Sequence, residues 1–569
     1  MNYSLNAYSQ PLTTAQAAHL LRRTTFGPTQ SHISAFTGIS SALAIDTLIN
    51  NINFNPAPPI DLNVSLTPNP TVGQPYIGTV YNSSRNPDFR SYIRNWWIGL
   101  MAAQTNNPSL AEKLTMFWQN HFVTELPDVD ENRAIYQYLN LIRTSILGNF
   151  KDFVYNVTKD PAMLKYLNGH DNEKNKPNEN YARELQELFV VGEKDFAGNN
   201  NYTENDVKAA ARVLTGWRYA NFYTANTTSV STTFNLTRHD TNNKQFSTKY
   251  PDPLNSTLGT VITGRSTNPV GTTAGDLELD DLLIMLFRHP ETPKFICRKL
   301  YRFFVNTNVT QAVEDNVIIP LANLFKSQDP TTNRTFEIKP VIKKLLMSEH
   351  FYDEENIGSI VKAPSELVIG TLQFLGFPTP PLSGSDLNSI TTYKNYTDYI
   401  YNRMNEMQMS ILTQPTVFGY DAYYQPGLSR NWINASMIGL RNSFGDRMIT
   451  GNTFSGSGVT PVYRAKIDFL AWVDKPATPA PNYYNASDCV SIIDLLTKNL
   501  LATGLNANQK NFLIDTIFMQ SESRDIWTTQ WNLYKTATPA NLATRTTTVR
   551  VRMENVMKFL FRMAEYQIF

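Results

Sequence analysis

A chain of 569 residues with 50 Lys and Arg against 49 Asp and Glu has a formal net charge of +1, so bulk electrostatics give it no hold on nucleic acid or on an anionic membrane. With 41% hydrophobic and 12% aromatic residues it reads as an ordered globular protein, longer than one ordinary domain. Its two cysteines, Cys297 and Cys489, exclude a disulfide scaffold and any cysteine-built zinc or iron–sulfur centre, and the spacing leaves open whether they pair.

The amino terminus, MNYSLNAYSQPLTTAQ, has neither a basic n-region nor a continuous apolar h-region, so no secretory signal is visible. Arg22-Arg23 in RRTTFG resembles a twin-arginine signal only superficially, because no apolar stretch follows. No run of about 18 apolar residues occurs, and no transmembrane segment is expected.

Helical periodicity then dominates the chain. TTAQAAHLLRR opens with a Thr cap candidate. It is followed by helical patterns over Arg90 to Ala103, Ser109 to Phe122, Asn132 to Leu147, Thr203 to Trp217 and Glu291 to Val305, and by further ones in the last third. The Pro-, Asn- and Thr-rich residues 55–80 read as a loop insertion. Residues 217–264 carry short β-favouring runs broken by turn residues, which predicts a small β-hairpin insertion. The polar interruption after Phe377 marks a boundary between a core, 1–377, and a C-terminal helical lobe, 378–569. The expected class is mostly α, multi-helical and two-lobed.

The segment PNENYARELQELFVVG, Pro177 to Gly192, concentrates charge in a chain that is 17% charged. Projected at about 100° per residue, Tyr181, Leu185, Leu188 and Gly192 form one stripe with Phe189 beside it. Glu184 lies about 60° from its centre and Glu187 about 120°, so Glu184 borders the buried face and needs a partner. Glu179, Arg183 and Glu187 form an i,i+4 ladder, which equally describes a solvated face. His121 lies on the apolar stripe of SLAEKLTMFWQNHF and reads either as a hydrogen-bonded core residue or as a ligand. His239-Asp240 and Lys244 follow a predicted strand. Imidazole with carboxylate is the chemistry of a divalent metal site and of acid–base catalysis, but no metal-protease, phosphate-loop or nucleophile-elbow motif accompanies it. Lys294, Arg298 and Arg302 form a basic stripe suited to the Glu184 and Glu187 face, to an anion, or to water.

HLLRRTTFGPT, KLTMFWQNHFVT, PNENYARELQELFVVG, YTENDVKAAARVLTGW, RHDTNNKQF, HPETPKFICRKLYRFFV, VKAPSELVIGTLQFLG and RNWINAS, in this order, make the chain resemble the bacterial domain-of-unknown-function 1800 family over nearly its whole length. The resemblance implies no assigned activity. It implies an exported or envelope protein, with a cytoplasmic place as the alternative, acting with a sulfatase-like partner of the domain-of-unknown-function 1501 family. Asn242 stands where that pattern usually has Gly, and Phe189 where a His is common.

Two functions are therefore expected to compete. One is a binding or scaffold protein, an export companion of the sulfatase-like partner. The other is a metal-assisted or acid–base hydrolase with Glu184, Glu187, His121, Arg183 and Lys244 as catalytic groups and His121, Glu184, His239 and Asp240 as ligands of a divalent metal.

Overall fold

A computed structural model of the protein describes residues 1–65, 71–103, 107–384, 386–423, 428–454, 464–474 and 484–569. It is mostly helical. The first helix, α1 (Thr14–Thr24), starts at a capping box in which Thr13 and Gln16 satisfy each other's backbone N–H groups, and from Ala17 onward every residue is buried, Arg22 and Arg23 included. Next come α2 (Asn86–Ala102), α3 (Ala111–His121), α4 (Asn132–Ser145) and α5 (Glu179–Glu184), then α6 (Glu204–Val213). The predicted periods therefore become helices, with ends shifted by a few residues.

The 217–264 insertion is a pair of short antiparallel hairpins. β1 (Trp217–Ala220) pairs with β2 (Ser231–Phe234), and β3 (Lys244–Gln245) pairs with β4 (Val261–Ile262). Beyond it, α7 (Ala274–Arg288) and α8 (Glu291–Phe304) pack on the core, and Pro364 opens α9 (Pro364–Phe374). Proline suits that first position because its missing N–H would be unsatisfied there in any case. The last third contributes α10 (Leu387–Glu406), α11 (Ala435–Thr450), α12 (Cys489–Leu500), α13 (Leu542–Arg562) and α14 (Ala564–Gln567).

Buried apolar side chains from Leu12 to Tyr566 form one continuous cluster, which crosses the expected boundary at residue 378. Across that boundary, Asn95 on α2 donates to Thr397 and Asp398 on α10 at 2.8 Å each. The chain's end returns to the core: the Lys362 amide donates to the Gln567 carbonyl and the Phe569 amide to the Ile360 carbonyl, both at 2.9 Å. Gly27 (φ +151°) lets the exit of α1 lie directly on α9, because a Cβ there would stand 2.3 Å from the Gly370 Cα.

Cys297 and Cys489 are both buried free thiols. Among the described residues no helix is long and apolar enough to cross a membrane. The predicted loop 55–80 falls partly on residues 66–70, which lie outside the described residues.

Candidate functional site

The charged helix does not run as a regular α-helix. After α5 the chain continues as a π-turn over Leu185–Val190, and this wider turn changes which side chains face inward. Gln186 is fully buried and bonded to the Tyr250 hydroxyl at 2.9 Å, whereas Leu188, placed on the core stripe by a 100° projection, is only half-buried. Glu184 is buried as expected.

At the end of the turn the Leu188 and Phe189 carbonyls bond outside the helix. Lys299 on α8 donates to the Leu188 carbonyl at 3.0 Å, and His121 Nε2 donates to the Phe189 carbonyl at 2.9 Å. That proton assignment leaves His121 Nδ1 as acceptor for the Lys299 ammonium, 3.0 Å away. Burial, together with Lys299, holds the imidazole well below its usual range, and burial with Arg302 nearby pulls the Lys299 amine down to about 7. Both His121 nitrogens are thus engaged, and a metal has no free lone pair to use.

A second cluster ties the hairpins to α6 and α7. His239 Nδ1 lies 2.9 Å from the Thr215 carbonyl and Nε2 lies 3.1 Å from Glu278 Oε1. Lys244 donates to the other Glu278 oxygen and to the Asp240 carbonyl, each at 2.5 Å. Asp240 accepts from Arg212 at 2.6 Å and from the amide and side chain of Asn242 at 2.9 and 3.0 Å. Burial pushes the Asp240 carboxyl up, but Arg212 and the Asn242 amide outweigh it and hold it below its usual value. Asn242, where a Gly is usual in the pattern, therefore serves as a clamp on Asp240.

The third group lies along α5 and the π-turn that follows it. Arg183 pairs with Glu204 at 2.7 Å and with Glu179 at 3.5 Å, and Glu187 accepts from the Tyr202 hydroxyl at 2.8 Å. Glu184 has no hydrogen-bond or ion-pair partner among the described residues; burial and the neighbouring Glu187 push its carboxyl up to about 7. Two members of the basic stripe are held by other carboxylates, Arg298 by Glu291 and Glu314 and Lys294 by Glu291, and Arg302 forms no ion pair with Glu184 or Glu187.

His239, Asp240 and Lys244 are therefore together, while His121 belongs to a separate cluster and Arg183, Glu184 and Glu187 to another. No hydrogen bond or ion pair among the described residues joins one group to the next, and no three His, Cys, Asp or Glu side chains there converge as a metal centre requires. The ligand set of His121, Glu184, His239 and Asp240 is not assembled, because each member but Glu184 is held by a partner inside its own cluster.

A different group does converge. Arg22 and Arg23 at the end of α1, Lys113 on α3, Lys362 just before α9 and Arg441 on α11 are all buried around one carboxylate, Glu366 of α9. Glu366 is taken by Lys113, with which it forms an ion pair, and by the Ser365 hydroxyl at 3.0 Å. The other four cations rest chiefly on neutral oxygens. Arg22 donates to the Leu501 and Asn499 carbonyls at 3.0 and 2.5 Å, and Lys362 to the Tyr566 carbonyl at 2.6 Å. Arg441 donates to the Gln567 side chain at 2.6 Å and to the Trp432 and Lys362 carbonyls at 3.2 and 3.1 Å. Arg23 donates to the Asn356 carbonyl and the Ser359 hydroxyl at 2.9 and 3.0 Å. Its Nε and Nη1 are buried and meet no acceptor among the described residues.

A cavity of about 30 Å³ opens within this group, lined by Arg22, Lys362, Glu366 and Tyr566 and walled by Phe26, Phe374 and other apolar groups. Arg23, Lys113 and Arg441 stand one contact behind it, through the Phe569 ring, Glu366 and Lys362 respectively. The sequence held a signal for this cluster: Arg22, Arg23 and Lys113 interrupt apolar helical faces, as solvated cations do not. Read for resemblance alone, those segments did not reveal that they meet.

No curated protein and no solved structure gives a match to the chain. The family described as "Protein of unknown function (DUF1800)" matches residues 19–568, a span that takes in all five cations and the carboxylate they surround. The chain belongs to that family.

Proposed function

We propose that the protein is a binding protein whose ligand is an anion, held in the cavity between α1, α9 and the returning C-terminal residues. The observation that carries this reading is the charge count: three buried arginines, which keep their protons, and two buried lysines stand in one region with one carboxylate, Glu366, which is already paired with Lys113. Each ion removed from water costs several kcal/mol, and a carbonyl or amide oxygen returns only about 1.5–3 kcal/mol per bond to a charged donor. An anion in the cavity supplies the missing countercharge. The envelope setting and the sulfatase-like partner that the resemblance implies accord with a binding role, and co-purification from cells expressing both chains tests that association.

Equilibrium dialysis of the full chain against radiolabelled sulfate at low ionic strength tests the ligand site. One sulfate per chain is expected, with an affinity at least about tenfold weaker in Arg22→Gln, the loss of one charge-assisted bond. Uptake that does not saturate, or that Arg22→Gln leaves unchanged, contradicts the reading.

One observation favours a second reading, acid–base hydrolysis. Glu184 alone among the expected catalytic residues has no partner in the described residues, and a carboxyl pushed up to about 7 suits a general acid or base. Loss of a phosphatase or esterase activity in Glu184→Gln, with the fold intact, would support it.

A further inference from the structure

We infer that the ligand of this cavity is a small oxyanion and that it is captured together with one proton, which Lys362 takes up. The inference rests on the anion-binding reading above and adds the class of ligand and the control of its binding.

The size of the site sets the class. A single water needs roughly 10–15 Å³ on the measure by which this cavity holds about 30 Å³. The floor therefore accepts a few waters or one compact anion, such as a sulfate, phosphate or carboxylate group. Planar guanidinium forks suit such oxygens, and Arg22 presents one at the wall.

Geometry singles out Lys362 as the proton acceptor. Its Nζ donates to the Tyr566 carbonyl at 2.6 Å and lies 4.1 Å from the centre of the Tyr566 ring. An ammonium has three donors, and no carboxylate among the described residues forms an ion pair with this one. The charged groups facing it come from every side: Arg22 from α1, Arg441 from α11, Glu366 from α9 and Tyr566 from α14, with Lys113 of α3 bound to Glu366 and Arg23 beyond Phe569. Arginine does not release its proton near neutrality, and Lys113 has Glu366 beside it. Lys362 has two arginines and only a distant share in Glu366. Burial, then Arg22 and Arg441, hold its amine well below the usual lysine range, against a weaker pull from Glu366. Buried, bonded to one neutral carbonyl and in ion pair with no carboxylate among the described residues, this amine sheds its charge at less cost than it keeps it unpaired, and on this inference the empty site holds the neutral amine. An entering anion restores the ammonium, so that one anion and one proton from solvent go in and nothing is displaced covalently.

Two consequences follow from this linkage. Affinity falls by about tenfold for each pH unit over the range in which the free site holds the neutral amine, because each anion bound there requires a proton. Binding also consumes protons from the buffer.

Calorimetric titration of the full chain with sulfate, which does not itself titrate near neutrality, reads both. At pH 7.5, runs in two buffers of different ionisation enthalpy should report close to one proton taken up per sulfate. Arg22→Gln should bind at least about tenfold more weakly and take up no more protons per sulfate than the unmodified chain, because without Arg22 the Lys362 amine holds its proton more readily. Lys362→Met should bind more weakly and take up none. Sulfate binding with no proton uptake by the unmodified chain overturns this inference and leaves anion binding standing. Uptake that persists in Lys362→Met overturns the assignment to Lys362. No sulfate binding by the unmodified chain across pH 6–8 overturns both this inference and the reading on which it rests.

Discussion

The hairpin junction around Glu278 and the cavity around Glu366 are both buried and both ionic, yet they differ in balance. At the junction, Glu278 faces His239 and Lys244, while Asp240 faces Arg212, so every buried charge meets its opposite. At the cavity, Glu366 satisfies Lys113 while Arg22, Arg23, Lys362 and Arg441 rest on neutral oxygens. A balanced cluster fixes one element on another and has no use for a ligand. An unbalanced one is complete only with something added. The difference directs attention away from the histidines, which look more like chemistry, towards arginines and a lysine that look like core.

The largest effect should come from breaking the balanced cluster. Glu278→Ala leaves Lys244 buried without its countercharge and should cost about 3–5 kcal/mol in urea unfolding. A loss below about 1 kcal/mol would mean that the junction is not the fastening described here. Glu366→Gln should cost less in the presence of anion than without it, because sulfate can replace the missing charge. Its unfolding midpoint should recover with added sulfate by more than that of the unmodified chain, whereas parallel shifts in the two proteins would break the contrast.

A smaller effect concerns pH. The Glu184 carboxyl is raised to about 7 from an ordinary value near 4.5, so the folded chain holds this proton more tightly than the unfolded one. Its contribution is fully present below about 4.5 and is lost as pH rises towards about 7. Discounted for the solvent that still reaches the group, the change is about 1 kcal/mol. Glu184→Gln should flatten the stability profile across that window, and an unaltered profile would remove Glu184 from the account.

Much of the architecture was readable from local pattern. The 3.6-residue period marked α4 and α8 to within about two residues, and turn residues marked the β-insertion at 217–264 but not its division into two hairpins. The π-turn at Leu185–Val190 was not readable, because one residue of slack leaves the same letters on a different face, exchanging Gln186 for Leu188 in the core. The site failed for a related reason. Glu184, His121 and His239 were recognised as polar groups on or near apolar faces, and they are buried. What joins buried polar groups of this chain to partners often acts across long separations: Lys299 to His121 over 178 residues and Lys113 to Glu366 over 253. No periodicity encodes such pairs. Apart from Arg441, the residues that do converge belong to segments that carried the family resemblance, and a cation inside an apolar stripe was visible separately at Arg22, Arg23 and Lys113.

The central claim is that buried positive charge at the α1–α9 junction awaits an anion. It is tested most directly by unfolding the unmodified chain and Arg22→Gln in urea across a range of sulfate, with ionic strength held constant by chloride. Sulfate stabilises most proteins weakly and without saturation, whereas a specific site stabilises according to the logarithm of ligand over its dissociation constant. The account predicts an extra stabilisation of the unmodified chain that sets in at low sulfate and is absent from Arg22→Gln. Superimposable sulfate responses in the two proteins would contradict it.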